Sequence, residues 1–81
     1  MRAFELDFRL FIRGGHAVTP TLTRRERDVL RLLVEGYSNR EIATRLAIRE
    51  QTVKDHVSML LKKFEARSRV ALAVAAVRAG F

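Results

Sequence analysis

Two capping boxes in close succession constrain this chain more than any other feature. Thr23 stands three residues before Glu26, Ser38 three before Glu41, and Gly36 lies between the pairs. In such a box the hydroxyl accepts a bond from the backbone N–H of the acidic residue, whose carboxylate accepts one from the backbone N–H of the hydroxyl residue. Each box opens a helix, and Gly36 stops the first helix before the second begins. The first helix then carries Val29, Leu30 and Leu33 as its apolar stripe, and the shorter second helix buries Ile42, Ala43 and Leu46.

The punctuation continues downstream. Ala47, Ile48 and Arg49 make a tight connection to a third helix running from about Glu50 to Phe64. Arg67 and Ser68 separate it from a fourth, with Ser68 as N-cap and Gly80 as terminator. The expected fold class is all-α: a four-helix domain over residues 22–81 that contains a helix-turn-helix at about 39–58. With 81 residues there is room for one modest core. Residues 1–21 form an N-terminal extension or linker of different character. Phe4, Leu6, Phe8, Leu10 and Ile12 alternate with Glu5, Asp7, Arg9, Phe11 and Arg13, a period that fits a half-buried strand, while Phe4, Phe8 and Phe11 also fit a helical stripe. Gly14 and Gly15 break that segment, and Pro20 marks a loop.

The third helix divides sharply when its residues are placed at roughly 100° intervals. Val53, Val57, Leu60 and Phe64 form a core face flanked by Leu61. Gln51, Lys54, Asp55, Ser58 and Lys62 point the other way, with Met59 at the edge. The outer face offers amide, ammonium, carboxylate and hydroxyl groups, each able to bond a base edge or a phosphate. A polar helix face is by itself an ordinary solvated surface, so this one acquires meaning from its setting. A short helix, a three-residue connection and a longer helix with a polar outer face make a helix-turn-helix pattern. The charge agrees: 16 Lys and Arg against 9 Asp and Glu give +7, an electrostatic footprint suited to a polyanion.

The segments Leu22-Thr23-Arg24-Arg25-Glu26-Arg27, Ser38-Asn39-Arg40-Glu41-Ile42-Ala43, Thr52-Val53-Lys54-Asp55-His56, Lys63-Phe64 and Arg67-Ser68-Arg69 recur at fixed spacing with Val29, Leu30, Gly36 and Ala71. Together they resemble the LuxR/NarL/GerE family of helix-turn-helix domains, from about Leu22 to Phe81. The resemblance implies a four-helix, double-stranded-DNA-binding transcription regulator of bacteria, comparable with the effector domain of a response regulator, with the recognition helix at about 50–64 in the major groove. It also implies residue roles. Thr52 and Lys54 would contact the DNA backbone, Lys54 reaching a base as well. Asp55 and Ser58 occupy positions from which relatives read bases, and Asn39 and Arg40 open the second helix where N–H groups meet a phosphate. Gln51 and Lys62 complete the DNA-binding set on the outer face. His56 matches a position beside the core, where a structural hydrogen bond is expected of it. Two residues depart from the family: Arg49 replaces a usual serine and cannot accept a capping bond, and Glu65 stands where glycine is frequent and must adopt an unusual backbone angle or turn differently.

Other classes fare worse. No nucleophile–base pair, phosphate-binding glycine loop or metal-ligand cluster is visible, so neither an enzyme nor a cofactor or metal is expected. There is no cysteine, which fits a reducing cytoplasm, and no signal peptide or membrane-spanning run. Residues 1–21 are too short for the receiver or ligand-binding domain often found upstream in relatives, so a standalone regulator or an excised effector domain is expected. The alternatives on the same fold are a protein–protein adaptor, favoured by the acidic Asp55 on the reading face, and a sigma-factor-like promoter-recognition module. Residues 70–77 carry no charge, and a helix apolar all round is normally covered all round. Val70, Ala73, Val74 and Val77 share one face; Leu72, Ala75 and Ala76 share the other, which is expected to pair with a second copy, either free or only on DNA. RNA polymerase is a further expected partner.

Overall fold

The computed structural model describes residues 20–81, so the strand or helical reading of the first 13 residues lies outside the described residues. Within them the chain forms four helices and no strand: α1 (Arg24–Val34), α2 (Asn39–Leu46), α3 (Glu50–Lys63) and α4 (Arg69–Arg78). Both capping boxes form as expected. The N–H of Glu26 donates to Thr23 Oγ1 at 3.1 Å and that of Thr23 to Glu26 Oε1 at 2.9 Å. The pair Ser38–Glu41 repeats this at 3.1 and 2.8 Å. Ser68 caps α4 by accepting from the N–H of Ala71 at 3.1 Å. Arg49 precedes α3 with no side-chain cap, as its chemistry requires.

All four helices end in the same device. At each end two N–H groups reach back, one to the carbonyl five residues earlier and the preceding one to the carbonyl three earlier. These pairs are Tyr37 to Leu32 with Gly36 to Leu33, Ile48 to Ala43 with Ala47 to Thr44, Ala66 to Leu61 with Glu65 to Lys62, and Phe81 to Ala76 with Gly80 to Val77. This is the Schellman motif, which needs a left-handed residue between its two bonds. Glycine supplies it at Gly36 (φ 97°) and Gly80 (φ 102°), whereas Ala47 (φ 56°) and Glu65 (φ 53°) adopt it against the preference of their Cβ. The ends of the long bond are apolar in every case, Leu32 and Tyr37, Ala43 and Ile48, Leu61 and Ala66, Ala76 and Phe81, matching the hydrophobic contact that usually accompanies the motif.

The core joins all four helices. Leu30, Ile42, Leu60 and Leu72 are its largest fully buried side chains, with Val29 and Val53 beside them. Each contributes about 1.5–3 kcal/mol by leaving water. Helix α3 packs on both α1 and α2, and α4 lies across α1 and touches α3. Leu22 is buried too, so the chain joins the core just before α1 begins.

Helix α4 corrects one expectation. Leu72 and Ala76 are completely buried in the protomer's own core and Ala75 is half-buried, so Leu72 and Ala76 do not face a second copy. The exposed apolar residues are Val70, Val74 and Val77, at 73%, 39% and 56% exposure. With no charge between residues 70 and 77, a helical wheel has no phase. Packing sets it, by turning Leu72, the longest apolar side chain of the helix, inward.

Candidate nucleic-acid interface

The connection from α2 to α3 is short because the left-handed Ala47 turns the chain at once, and Ile48 then anchors it against the core. Arg49 enters α3 in extended conformation, φ −75° and ψ 148°. The buried side of α3 is Val53, Val57 and Leu60, with Leu61 and Phe64 partly covered, as the helical wheel requires. Gln51, Lys54, Asp55, Ser58 and Lys62 are consequently exposed along the opposite side, and Met59 is exposed at its edge. Thr52 is half-buried, at the shoulder between the two faces. Six of the eight expected contact residues thus lie on or beside one face of a single helix.

That face is not a set of independent side chains. Gln51 Nε2 donates to Asp55 Oδ1 at 3.0 Å, one turn further along. The carboxylate is therefore oriented by a neighbour, and the two residues act as a unit. Lys54, Ser58 and Lys62 complete the surface with ammonium and hydroxyl groups.

Asn39 and Arg40 differ from each other. Arg40 is exposed, and its carbonyl accepts from Thr44 Oγ1 at 3.1 Å. Asn39 is half-buried, and its Oδ1 accepts from Arg69 Nη1 at 2.7 Å, while Arg69 Nη2 donates to the carbonyl of Tyr37 at 2.9 Å. The guanidinium at the start of α4 thus clamps the approach to α2. Arg45 lies over the Tyr37 ring, 3.8 Å from its centroid, and covers the other side of that approach. The side chain of Asn39 is a positioning element, and what the start of α2 offers outward is the Arg40 side chain together with open backbone N–H groups. The capping box occupies the N–H groups of Ser38 and Glu41 and leaves those of Asn39 and Arg40 without intrahelical partners. Such a terminus favours an anion.

A second scaffold element supports α3 from behind. Lys63 Nζ donates to Glu26 Oε1 at 2.7 Å and to the carbonyl of Thr21 at 3.0 Å, joining the end of α3 to the start of α1. Glu26 is the one charged residue in the core among the described residues. The hydrogen bond from Lys63 holds its carboxyl below the usual carboxylate range, against the opposing effect of burial, and the Thr23 N–H adds to the lowering. Glu41 is lowered likewise, chiefly by the backbone N–H of Ser38. Neither the Arg69 clamp nor the Lys63 bridge was anticipated. The bridge had a visible signal: Glu26 lies on the stripe of Val29, Leu30 and Leu33, and Lys63 lies beside Leu60 on that of α3, so two opposite charges point toward one core. For the clamp, Arg69 belongs to the Arg67-Ser68-Arg69 segment of the family resemblance, but nothing in the sequence names Asn39 and Tyr37 as its partners. His56 is half-buried beside the core, and the hydrogen bond expected of it has no partner among the described residues.

Among the described residues no three His, Cys, Asp or Glu side chains come together to hold a metal, and no helix is long and apolar enough to cross a membrane. The arrangement suits recognition of a ligand that offers both negative charge and hydrogen-bonding edges. Comparison with known proteins gives the family. Residues 20–76 match the family of bacterial regulatory proteins, luxR family. The chain is 55% identical over 53 residues to the nitrate/nitrite response regulator protein NarL of Escherichia coli (strain K12), covering 65% of this chain and 24% of that protein. It is 54% identical over 57 residues to the uncharacterized transcriptional regulatory protein YhcZ of Bacillus subtilis (strain 168), covering 70% and 27%. Against the transcriptional regulatory protein DegU of Brevibacillus brevis the identity is 47% over 60 residues, covering 74% and 25%. The chain spans about a quarter of the length of each of these relatives.

Proposed function

Because the chain belongs to the luxR family of bacterial regulatory proteins, we propose that it is a sequence-specific, double-stranded-DNA-binding transcription regulator whose α3 lays its outer face in the major groove. The observation that carries this reading is the exposed array of Gln51, Lys54, Asp55, Ser58 and Lys62 opposite a fully packed Val53, Val57 and Leu60. In helix-turn-helix proteins the second helix enters the groove and its N-terminal residues meet base edges. Lys54 and Lys62 then neutralise phosphates, Thr52 bonds the backbone from the shoulder of the helix, and Asp55 and Ser58 face the bases. Arg40 and the open N–H groups at the start of α2 meet a neighbouring phosphate. The DNA-binding unit is residues 22–81, and its site of action is the cytoplasm, where bacterial DNA lies.

A second copy belongs to the same proposal, through a face other than the one expected from sequence. Val70, Val74 and Val77 form an exposed apolar strip at i, i+4 and i+7 on α4. A strip this small makes a weak contact alone, so pairing takes hold when two half-sites on one duplex bring the copies together. Contact with RNA polymerase is the expected consequence of binding beside a promoter.

Titration of a duplex pool at two salt concentrations tests the reading. Each neutralised phosphate adds about 0.9 to the slope of log affinity against log salt. Contacts by Lys54, Lys62 and Arg40 give a slope of roughly 3 per copy. A flat response, or no binding at low salt, contradicts the proposal.

A further inference from the structure

We propose that Gln51 and Asp55 form one composite acceptor that selects a cytosine, through its N4 amino group, in the half-site read by α3. This inference rests on the proposed function above, since it assumes that the outer face of α3 meets base edges. Its basis is the bond from Gln51 Nε2 to Asp55 Oδ1 at 3.0 Å, between two side chains that are both exposed on the outer face of the helix.

The chemistry of that bond fixes its direction. An ionised carboxylate has acceptor sites only, so the Gln51 group facing it must be the NH₂. The carboxamide oxygen is thereby turned away from Asp55, and Asp55 keeps Oδ2 for another donor. The pair thus presents two acceptor oxygens together, one on each residue. In the major groove, cytosine offers an N4 donor and adenine an N6 donor flanked by the N7 acceptor, whereas guanine offers acceptors only. A carboxylate facing guanine O6 and N7 is repelled. Adenine is best read by a carboxamide that donates to N7 while accepting from N6, and Gln51 has committed one of its N–H groups to Asp55. Cytosine is the base whose edge the pair matches.

Position along the helix strengthens the assignment. Gln51 and Asp55 lie in the first half of α3, the part that reaches base edges in this class of motif. Ser58 and Lys62 follow on the same side one and two turns later, and Lys54 lies beside the pair, so the acceptor unit sits among groups that can donate. A carboxylate costs affinity near phosphates, and the Gln51 hydrogen bond is what holds it toward the base edges, away from the backbone on either side. Gln51 is in this sense a positioning residue and Asp55 the reading residue.

Selection from a random duplex pool, followed by titration of the selected site with its critical pair changed from C·G to A·T, T·A and G·C, tests the idea. The native chain should prefer cytosine at one position of each half-site by roughly ten- to a hundredfold. Asp55→Ala should lose that preference while its binding to unselected duplex rises, because a negative charge has left the interface. Asp55→Asn should move the preference toward adenine, since a carboxamide both donates and accepts. Gln51→Ala should retain the choice of cytosine with a smaller margin. The inference is overturned if Asp55→Ala selects the same sites with unchanged discrimination. Failure of the native chain to bind any duplex is a separate outcome, which overturns the function on which the inference rests.

Discussion

Replacing Lys63 with methionine should destabilise the domain by about 2–3 kcal/mol, although Lys63 is partly exposed. The side chain keeps its length and its packing stem, so the change isolates the ammonium. What is lost is a 2.7 Å charge-assisted bond to Glu26 and a 3.0 Å bond to the Thr21 carbonyl. A hydrogen bond to a charged group contributes about 1.5–3 kcal/mol, and stranding a fully buried charge costs about 3–5 kcal/mol. Glu26 is 7% exposed and Lys63 29%, so water partly screens the pair and the lower part of that combined range applies. For a domain of this size each kcal/mol lowers Tm by about 4–8 °C. Urea denaturation of the native chain, Lys63→Met, Glu26→Gln and the double variant supplies the assay. Glu26→Gln keeps an oxygen for the Thr23 N–H, so the double variant should recover part of the loss of Lys63→Met and reveal a coupling above 1 kcal/mol. The pH dependence has a defined sign. The folded pKa of Glu26 lies below its ordinary 4.5, so the stabilisation is present above that value and is lost as pH falls below it through the folded pKa. Lys63→Met should flatten that acid loss. A cost under about 0.5 kcal/mol, or zero coupling in the cycle, would refute the reasoning.

Lys54→Ala should weaken binding to nearly all duplexes alike and reduce the salt slope by about 1, as measured by titration at several salt concentrations. Val74→Glu should leave thermal stability nearly unchanged and reduce two-copy binding on a duplex with two half-sites, whereas Leu72→Ala should cost about 2–5 kcal/mol of stability because Leu72 is wholly inside the protomer; equal effects of both would contradict the orientation of α4. Glu65→Gly should raise stability by about 0.5–1 kcal/mol in urea, since it removes a left-handed strain of about 1–2 kcal/mol and adds back unfolded-state freedom of about 0.5–1 kcal/mol.

The parts of this fold that were legible in the sequence are those governed by local rules. Thr23 with Glu26 and Ser38 with Glu41 are paired by hydrogen bonds that need only a three-residue spacing, and both formed. The core faces of α1, α2 and α3 were legible because charged residues alternate with apolar ones there and set the phase of the helix. Arg49 without a cap followed from side-chain chemistry alone, whereas the left-handed Glu65 is one of the two outcomes that the family's frequent glycine at that position left open. Helix α4 was misread because Val70 to Val77 lacks that alternation, so only tertiary packing distinguishes Leu72 from Val74. Ala47 gave no sign of its left-handed angle, because nothing about alanine favours it; the bonds of Ile48 and Ala47 to the end of α2 impose it. The Arg69 clamp on Asn39 and Tyr37 joins residues about thirty apart in the chain, and no periodicity reports such a pairing.

The most direct test of the central claim is an NMR titration of the isotopically labelled chain with a selected duplex, following backbone amides and the Gln51 side-chain NH₂. The account predicts that the largest shifts fall on Gln51, Thr52, Lys54, Asp55, Ser58 and Lys62, with a second, smaller group at Asn39 and Arg40. Shifts concentrated instead on the exposed arginines of α1, Arg24, Arg25, Arg27 and Arg31, with the outer face of α3 unmoved, would contradict it.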